Sequence, residues 1–222
     1  MQKHDFEESY FEGYYRGIAD FTKKRDRELS NWFLGMINYI HKYYPIKKGK
    51  GKKMIEFGCA TGVASNLLKR FGWEVVATDI SKYAVKKAQK NYKGVKFLAW
   101  DMEKPYKTEK FDLAVAFDVI EHLNKPEAGI KNVYNLLRSG GHAVFSTPND
   151  YPHVWNDPTH VNVKRPSEWK KILKDVGFKE IFLKQVTMLP FFYRWHPRLS
   201  FVVPFATRSP YLISPVILIA KK

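Results

Sequence analysis

Three carboxylates stand where apolar runs stop. Trp73-Glu-Val-Val-Ala-Thr-Asp79, Val95-Lys-Phe-Leu-Ala-Trp-Asp101 and Phe111-Asp-Leu-Ala-Val-Ala-Phe117-Asp118 each read as a buried strand that ends in an acid. An acid so placed can accept hydrogen bonds from ligand hydroxyls or amines. Upstream, Met54-Ile-Glu-Phe-Gly-Cys-Ala-Thr-Gly62 reads as a strand running into a bare turn, with a helix from Val63. Gly58 and Gly62 let a ligand lie against the main chain, and the helix start points its N–H groups at that ligand. Glu56, just before the turn, can accept hydrogen bonds or balance a positive group. Asp79 follows Gly62 by seventeen residues, about where a ribose-binding carboxylate belongs. Ala60 replaces the middle glycine of a dinucleotide fingerprint and no Gly-Lys-Ser/Thr occurs, so neither a nicotinamide site nor a phosphate-cradling loop is supported.

Strand and helix patterns alternate from Met54 to Ser146, which predicts an α/β, doubly wound Rossmann-like sheet with helices on both faces. Ligands in such sheets bind beyond the carboxyl ends of the strands, the edge that collects Gly58, Asp79, Asp101, Asp118 and Pro148-Asn149. Ahead of the sheet, Leu29, Trp32, Phe33, Met36, Ile37 and Ile40 recur at helical spacing. After it come an irregular polar and aromatic loop over 150–162, a helix at Pro166–Val176 closed by Gly177, and two strands, Phe178–Gln185 and Leu212–Ala220. The chain is expected to form one domain over 1–222: an N-terminal helical segment (1–50), a core (51–186), an apolar insertion (187–210) and a final strand (211–222).

The motifs Glu56-Phe-Gly-Cys-Ala-Thr-Gly62, Ala77-Thr-Asp-Ile-Ser81, Ala99-Trp-Asp-Met102, Phe111–Leu123 and Leu136-Leu-Arg-Ser-Gly-Gly141 together resemble class I S-adenosylmethionine-dependent methyltransferases of the small-molecule branch. The likeness runs in order over about half the chain. It implies seven strands with the last antiparallel, S-adenosyl-L-methionine as cofactor, and an N-terminal flap in which Tyr14 or Tyr15 faces the ligand. It also implies a division of labour. The backbone of Gly58, Cys59, Ala60 and Gly62 approaches the methionyl part, Glu56 supports the turn and the amino group, and Asp79 grips the ribose hydroxyls. Ile80 packs on the adenine, and Asp101 accepts from its amino group with Met102 alongside. Phe117 and Asp118 lie where the reacting methyl belongs, and His122 either lines the pocket or packs.

Methyl transfer is an in-line displacement that needs donor and acceptor held close, aligned and dry, and it requires no metal. No pair or triplet of histidines and carboxylates shows metal-ligand spacing. An oxygen acceptor must lose its proton, a task suited to histidine. His160, in Asp157-Pro-Thr-His160, is the first choice and His153 the second. This loop resembles segments of methyltransferases associated with glycan assembly, and the motif style is similar to quinone-biosynthesis methyltransferases. The expected activity is therefore O-methylation of a small-molecule acceptor: a sugar, a lipid-linked glycan or a quinone-like ring.

Composition sets the alternatives. A net charge of +16 invites an RNA methyltransferase, but the lysines are scattered outside Lys47–Lys53 and no Asn/Asp-Pro-Pro-Tyr/Phe motif follows the fourth strand. A non-enzymatic cofactor-binding protein is the other alternative. The single cysteine, Cys59, excludes an intrachain disulfide. The start of the sequence has no signal-peptide pattern and no run is long enough for a membrane span, so the expected location is cytoplasmic. Residues 188–208 interleave aromatic and basic side chains between prolines. They suit a cap over the substrate, a membrane-surface or lipid-linked contact, or a dimer interface.

Overall fold

The computed structural model describes Phe6, Glu8, Tyr10, Phe11, residues 23–189, His196 and residues 200–222. Tyr14 and Tyr15, expected at the ligand, lie outside the described residues. Helix α1 (Lys23–Ile40) leads into a core of β1 (Lys53–Phe57), α2 (Val63–Arg70), β2 (Glu74–Asp79), α3 (Lys82–Asn91), β3 (Lys96–Ala99), β4 (Phe111–Phe117), α4 (Pro126–Leu136) and β5 (Leu137–Pro148). Helix α5 (Pro166–Val176), β6 (Lys179–Gln185), the short strands β7 (Thr187–Met188) and β8 (Val202–Val203), and β9 (Pro215–Lys221) complete it.

Seven strands form one sheet in the order β3-β2-β1-β4-β5-β9-β6. β9 pairs antiparallel with both β5 and β6, while the β1, β2, β3, β4 and β5 pairings are parallel. The α/β, doubly wound Rossmann-like expectation, with its antiparallel last strand, describes this sheet. Alternate residues of the central strands feed opposite faces, as strand geometry requires. Met54, Leu113, Val115, Val144 and Ile217 join Met36, Ile37, Ile40, Leu67 and Leu68 of α1 and α2. Ile55, Phe57, Ala114, Ala143, Phe145 and Leu218 meet Ile130, Val133, Trp169 and Leu173 of α4 and α5 on the other side. Each fully buried Val, Leu, Ile, Met or Phe among them contributes roughly 1.5–3 kcal/mol relative to exposure.

Strand order reverses between β1 and β4, so the helices that follow these neighbours leave on opposite faces and open a crevice at their carboxyl ends. Two local details differ from the sequence reading. β3 stops at Ala99, leaving Asp101 in the loop beyond it, and 150–162 contains a short 3₁₀ turn at Pro152–Asn156. The insertion also has some structure of its own: β7 pairs with β8, the Thr187 hydroxyl donates to the Phe205 carbonyl at 2.7 Å, and Ser200 sits against Gly35 of α1.

Candidate active site

The turn after β1 forms one wall of a cleft with a cavity volume of about 170 Å³. Gly58 has φ +68°, and a Cβ there would lie 2.3 Å from Val119 Cγ2, so both conformation and contact demand glycine. Gly62, at φ +84°, starts α2 against the Phe97 ring. Ala60 holds a positive φ of 44° without being glycine, and a hydrogen bond from its N–H to Asp79 Oδ2 at 2.8 Å secures it. Beneath the turn, Glu56 is buried and accepts a hydrogen bond from the Ser65 hydroxyl of α2. Burial pushes its carboxyl up to about 8, against the opposing effect of the Ser65 bond. Cys59 is buried and its thiol is pushed well up by burial, which suits a packed side chain and not a thiolate nucleophile.

The carboxyl ends of β2 and β3 supply the second wall. Asp79 Oδ1 accepts the Ser81 N–H at 2.9 Å while Oδ2 takes Ala60, so the carboxylate braces two turns and still lines the cleft. Ser81 caps α3 by accepting the Ala84 N–H at 3.0 Å. Ile80 is 43% exposed at the rim, an apolar shelf open to the cleft. Asp101 Oδ1 accepts the Glu103 N–H at 2.9 Å, and Asn132 Nδ2 holds the Met102 carbonyl at 3.0 Å, fixing the loop that lines the cleft between them.

The end of β4 brings in the reactive side chains. Asp118 lies in the left-handed region at φ +53°; its N–H donates to the Ser146 carbonyl at 3.0 Å and its Oδ1 accepts from the Ser146 hydroxyl at 2.7 Å. Burial raises its carboxyl, opposed by the Ser146 bond and the charge of His160. A 3₁₀ turn at Ile120–His122 then meets the 157–162 loop. The Glu121 carbonyl accepts the Val161 and Asn162 N–H groups at 3.1 and 2.8 Å, and Asn162 Nδ2 donates to the Leu123 carbonyl at 2.6 Å. His122 Nδ1 lies 3.0 Å from the Thr159 carbonyl, and the His122 and His160 rings stand with centroids 4.8 Å apart. The Asp157 carboxylate, raised by burial but brought below its ordinary value by the Thr159 hydroxyl and N–H, anchors the loop.

Of the residues singled out from sequence, Gly58, Ala60, Asp79, Ile80, Asp101, Met102, Asp118 and His122 line this cleft. Glu56, Cys59, Gly62 and Phe117 are among the residues that support it from beneath, and His160 stands behind His122. His153 instead borders a separate hollow with Asp150, Tyr151 and Arg208. No described residue of 187–210 lines the cleft; Phe6, Tyr10 and Phe11 do, with Phe6 edge-on to His122 at 5.8 Å between centroids. Phe57, Trp100, Val119 and Leu123 line the cleft from within motifs whose other residues were given roles, and Glu103 and Asn124, which directly follow such motifs, were missed by sequence reasoning. The expectation of no metal-ligand grouping rested on spacing along the chain, and folding changes the picture. Potential ligand atoms of Glu121, His122 and His160 all lie within 4.8 Å of one another.

Comparison with known proteins agrees with this fold. A family model described as a methyltransferase domain matches residues 23–181. A ubiquinone biosynthesis O-methyltransferase of Coxiella burnetii is 30% identical over 105 residues, 45% of this chain and 45% of that protein. The match thus spans less than half the length of that relative. The fold is shared with a SAM-dependent methyltransferase from Archaeoglobus fulgidus (TM-score 0.67, 19% identity, 98% and 100% of the two chains covered). It is shared as well with magnesium protoporphyrin IX methyltransferase from Synechocystis, solved with bound SAH (TM-score 0.65, 17% identity, 96% and 97% covered).

Proposed function

The chain belongs to the S-adenosylmethionine-dependent methyltransferases, and from that premise we propose that it methylates an oxygen of a small molecule. One observation carries the proposal. The cleft lined by the glycine turn, by Asp79 at the end of β2 and by Asp101 in the loop after β3 is continuous with Asp118 and His122 beyond the carboxyl end of β4.

The donor set fits the cofactor. Asp79 offers carboxylate lone pairs to ribose hydroxyls, Ile80 and Met102 offer apolar surface to a flat ring, and Asp101 offers an acceptor to an exocyclic amine. The main chain at Gly58 can approach the methionyl end because nothing projects from it, and Glu56 fixes the turn from below. When bound, S-adenosylmethionine supplies an electrophilic methyl on a sulfonium. Asp118 and His122 then orient the acceptor oxygen and receive its proton, with His160 supporting His122 from behind. Phe6, Tyr10 and Phe11 exclude water from this end of the cleft.

The acceptor class is a sugar, a lipid-linked glycan or a quinone-like ring; the name of the C. burnetii relative favours the last. Among the described residues no helix is long and apolar enough to cross a membrane. Phe201 and Phe205 of the insertion, and Tyr211 and Ile213 just after it, are nevertheless exposed, and they support a contact between this part of the chain and a membrane surface or a lipid-linked acceptor. Calorimetric titration of ligand-free protein with S-adenosylmethionine and then S-adenosylhomocysteine tests the donor. Micromolar binding of both is expected, followed by methyl transfer to a phenol or sugar hydroxyl in an acceptor screen. Failure to bind either nucleoside overturns the proposal.

A further inference from the structure

Beyond the carboxyl end of β5 lies a second hollow, bordered by Asp150, Tyr151, Pro152, His153, Arg208 and Pro210, that the methyl-transfer chemistry leaves unused. Its two walls come from segments far apart in sequence, and polar contacts fasten them together. Pro148 of β5 pairs with Pro215 of β9. Next to that pair the buried Asn149 donates to the Ser214 carbonyl and accepts from Gln185 of β6. The Ser214 hydroxyl in turn accepts the Thr207 N–H at 3.2 Å, which fixes the start of the 207–210 wall. On the other wall the Tyr151 carbonyl accepts the Val154 N–H at 3.0 Å, and the Val154 carbonyl receives His160 Nδ1 at 2.7 Å. The hollow is therefore held in shape, and its 151–154 wall is tied through His160 to the His122 ring at the cleft.

The polar groups at the hollow combine a donor and an acceptor that do not satisfy each other. Arg208 is exposed, and among the described residues its guanidinium makes no hydrogen bond or ion pair. Asp150 accepts the indole N–H of Trp155 at 3.0 Å through Oδ1, which leaves Oδ2 with acceptor capacity. These opposite charges border one hollow without pairing. His153 adds ring nitrogens beside them, and the Tyr151 ring, 5.9 Å from that of His153, adds a flat apolar face. A ligand that satisfies this set must donate to a carboxylate, accept from a guanidinium and lie against a ring. An anion answers Arg208 and is repelled by Asp150, and a cation meets the reverse problem. A quinone carbonyl satisfies Arg208 while giving Asp150 no donor. Vicinal hydroxyls meet the whole set, since each both donates and accepts, and the C–H face of a sugar ring packs on an aromatic side chain.

We propose that this hollow binds a saccharide unit of the methyl acceptor. Arg208 and Asp150 hold neighbouring hydroxyls, His153 takes a further polar group, and Tyr151 receives the ring face. Adjacent strands lie about 4.8 Å apart, so the ends of β5 and β9 stand roughly 5–10 Å from the end of β4, where Asp118 begins the turn. One hexose, or two joined, spans that separation and brings a hydroxyl to Asp118 and His122. The role of the sugar as acceptor rests on the O-methylation reading, whereas its binding rests on the hollow alone. Among the acceptor classes the cleft admits, the hollow selects a sugar or a lipid-linked glycan over a quinone-like ring.

The test titrates the full-length protein, with and without S-adenosylhomocysteine, with a panel of methyl glycosides and disaccharides of neutral, N-acetylated and acidic hexoses. Saturation-transfer NMR and calorimetry report binding. The expected result is saturable binding of at least one uncharged sugar, with saturation reaching its ring C–H protons. Asp150 and Arg208 are exposed, so Asp150→Ala and Arg208→Ala should melt as the wild type does, yet each should weaken that sugar at least about tenfold. Affinity for S-adenosylhomocysteine should be unchanged in both. Absence of binding by every sugar of the panel overturns the proposal, as does binding at wild-type strength in both variants, because the sugar would then sit elsewhere. Binding of the acidic sugars alone, displaced by inorganic phosphate, overturns it in favour of an anion site. The two readings fail separately: S-adenosylhomocysteine binding without sugar binding removes only this proposal, and sugar binding without S-adenosylhomocysteine binding removes the methyl transfer while the hollow keeps its ligand.

Discussion

The Asp79 carboxylate accepts the Ala60 N–H at 2.8 Å, joining the end of β2 to the turn after β1 across the floor of the cleft. Its other oxygen takes the Ser81 N–H at 2.9 Å. One side chain therefore shapes two ligand-facing turns and still presents acceptor capacity to a ligand.

Replacing Asp79 by Ala should for that reason weaken S-adenosylmethionine by about 2–3 kcal/mol, roughly 30- to 150-fold, through loss of charge-assisted hydrogen bonds. It should also lower thermal stability, because the Ala60 and Ser81 N–H groups lose their partner. A cofactor affinity within threefold of wild type would remove Asp79 from the ribose role. Calorimetry and a melting curve on the same sample separate the two effects.

Gly58 makes a sharper prediction about shape. Gly58→Ala combines a positive φ with a clash against Val119, and should cost about 1–3 kcal/mol of stability along with cofactor affinity. Val119→Ala in the same chain removes the clash but not the backbone strain, so it should restore only part of the loss. Full restoration would mean that φ +68° is not strained at this site; no restoration would mean that Val119 is not the obstacle. Urea midpoints of the two single variants and the double variant decide.

Glu56 gives a pH dependence with a definite sign. Its folded pKa, about 8, lies above the ordinary 4.5, so the folded state holds a proton that the unfolded chain has released. The corresponding stability is fully present below about 4.5 and is lost as pH rises through 8, with a slope of up to about 1.4 kcal/mol per pH unit. Urea midpoints measured at intervals across that window should fall with rising pH, and Glu56→Gln should flatten the fall. An unchanged slope in the variant would show that Glu56 is already ionised in the folded protein.

Much of this site was legible because its residues end hydrophobic runs. Asp79, Asp101 and Asp118 follow strands whose apolar patterns are continuous, and the glycine turn announces itself by composition. Other features belong to the packing alone. Glu121 is one residue from His122 in sequence, yet nothing local marks it as fully buried. His160 was selected for its polar loop, but its place against His122 depends on main-chain bonds from Val161 and Asn162 to the Glu121 carbonyl, a long-range pairing without periodic signature. The positive φ at Asp118 is likewise invisible, because aspartate is one of the residues that tolerate the left-handed region but nothing in the sequence says which aspartate adopts it.

Phe6 offers a final check on how the cleft is closed. Its ring stands edge-on to His122 at 5.8 Å and to Tyr10 at 5.0 Å, and all three residues line the cleft. Such ring pairs are worth about 0.5–1.5 kcal/mol beyond the area they bury, so Phe6→Ala should speed release of S-adenosylhomocysteine by roughly 2- to 10-fold. Binding should slow little, because the glycine turn and Asp79 remain in place, and the loss should appear almost wholly in the dissociation rate. Stopped-flow displacement with excess S-adenosylmethionine measures that rate directly. A dissociation rate equal to that of the wild type would show that Phe6 merely packs on the surface and that retention of the nucleoside is the work of the sheet edge.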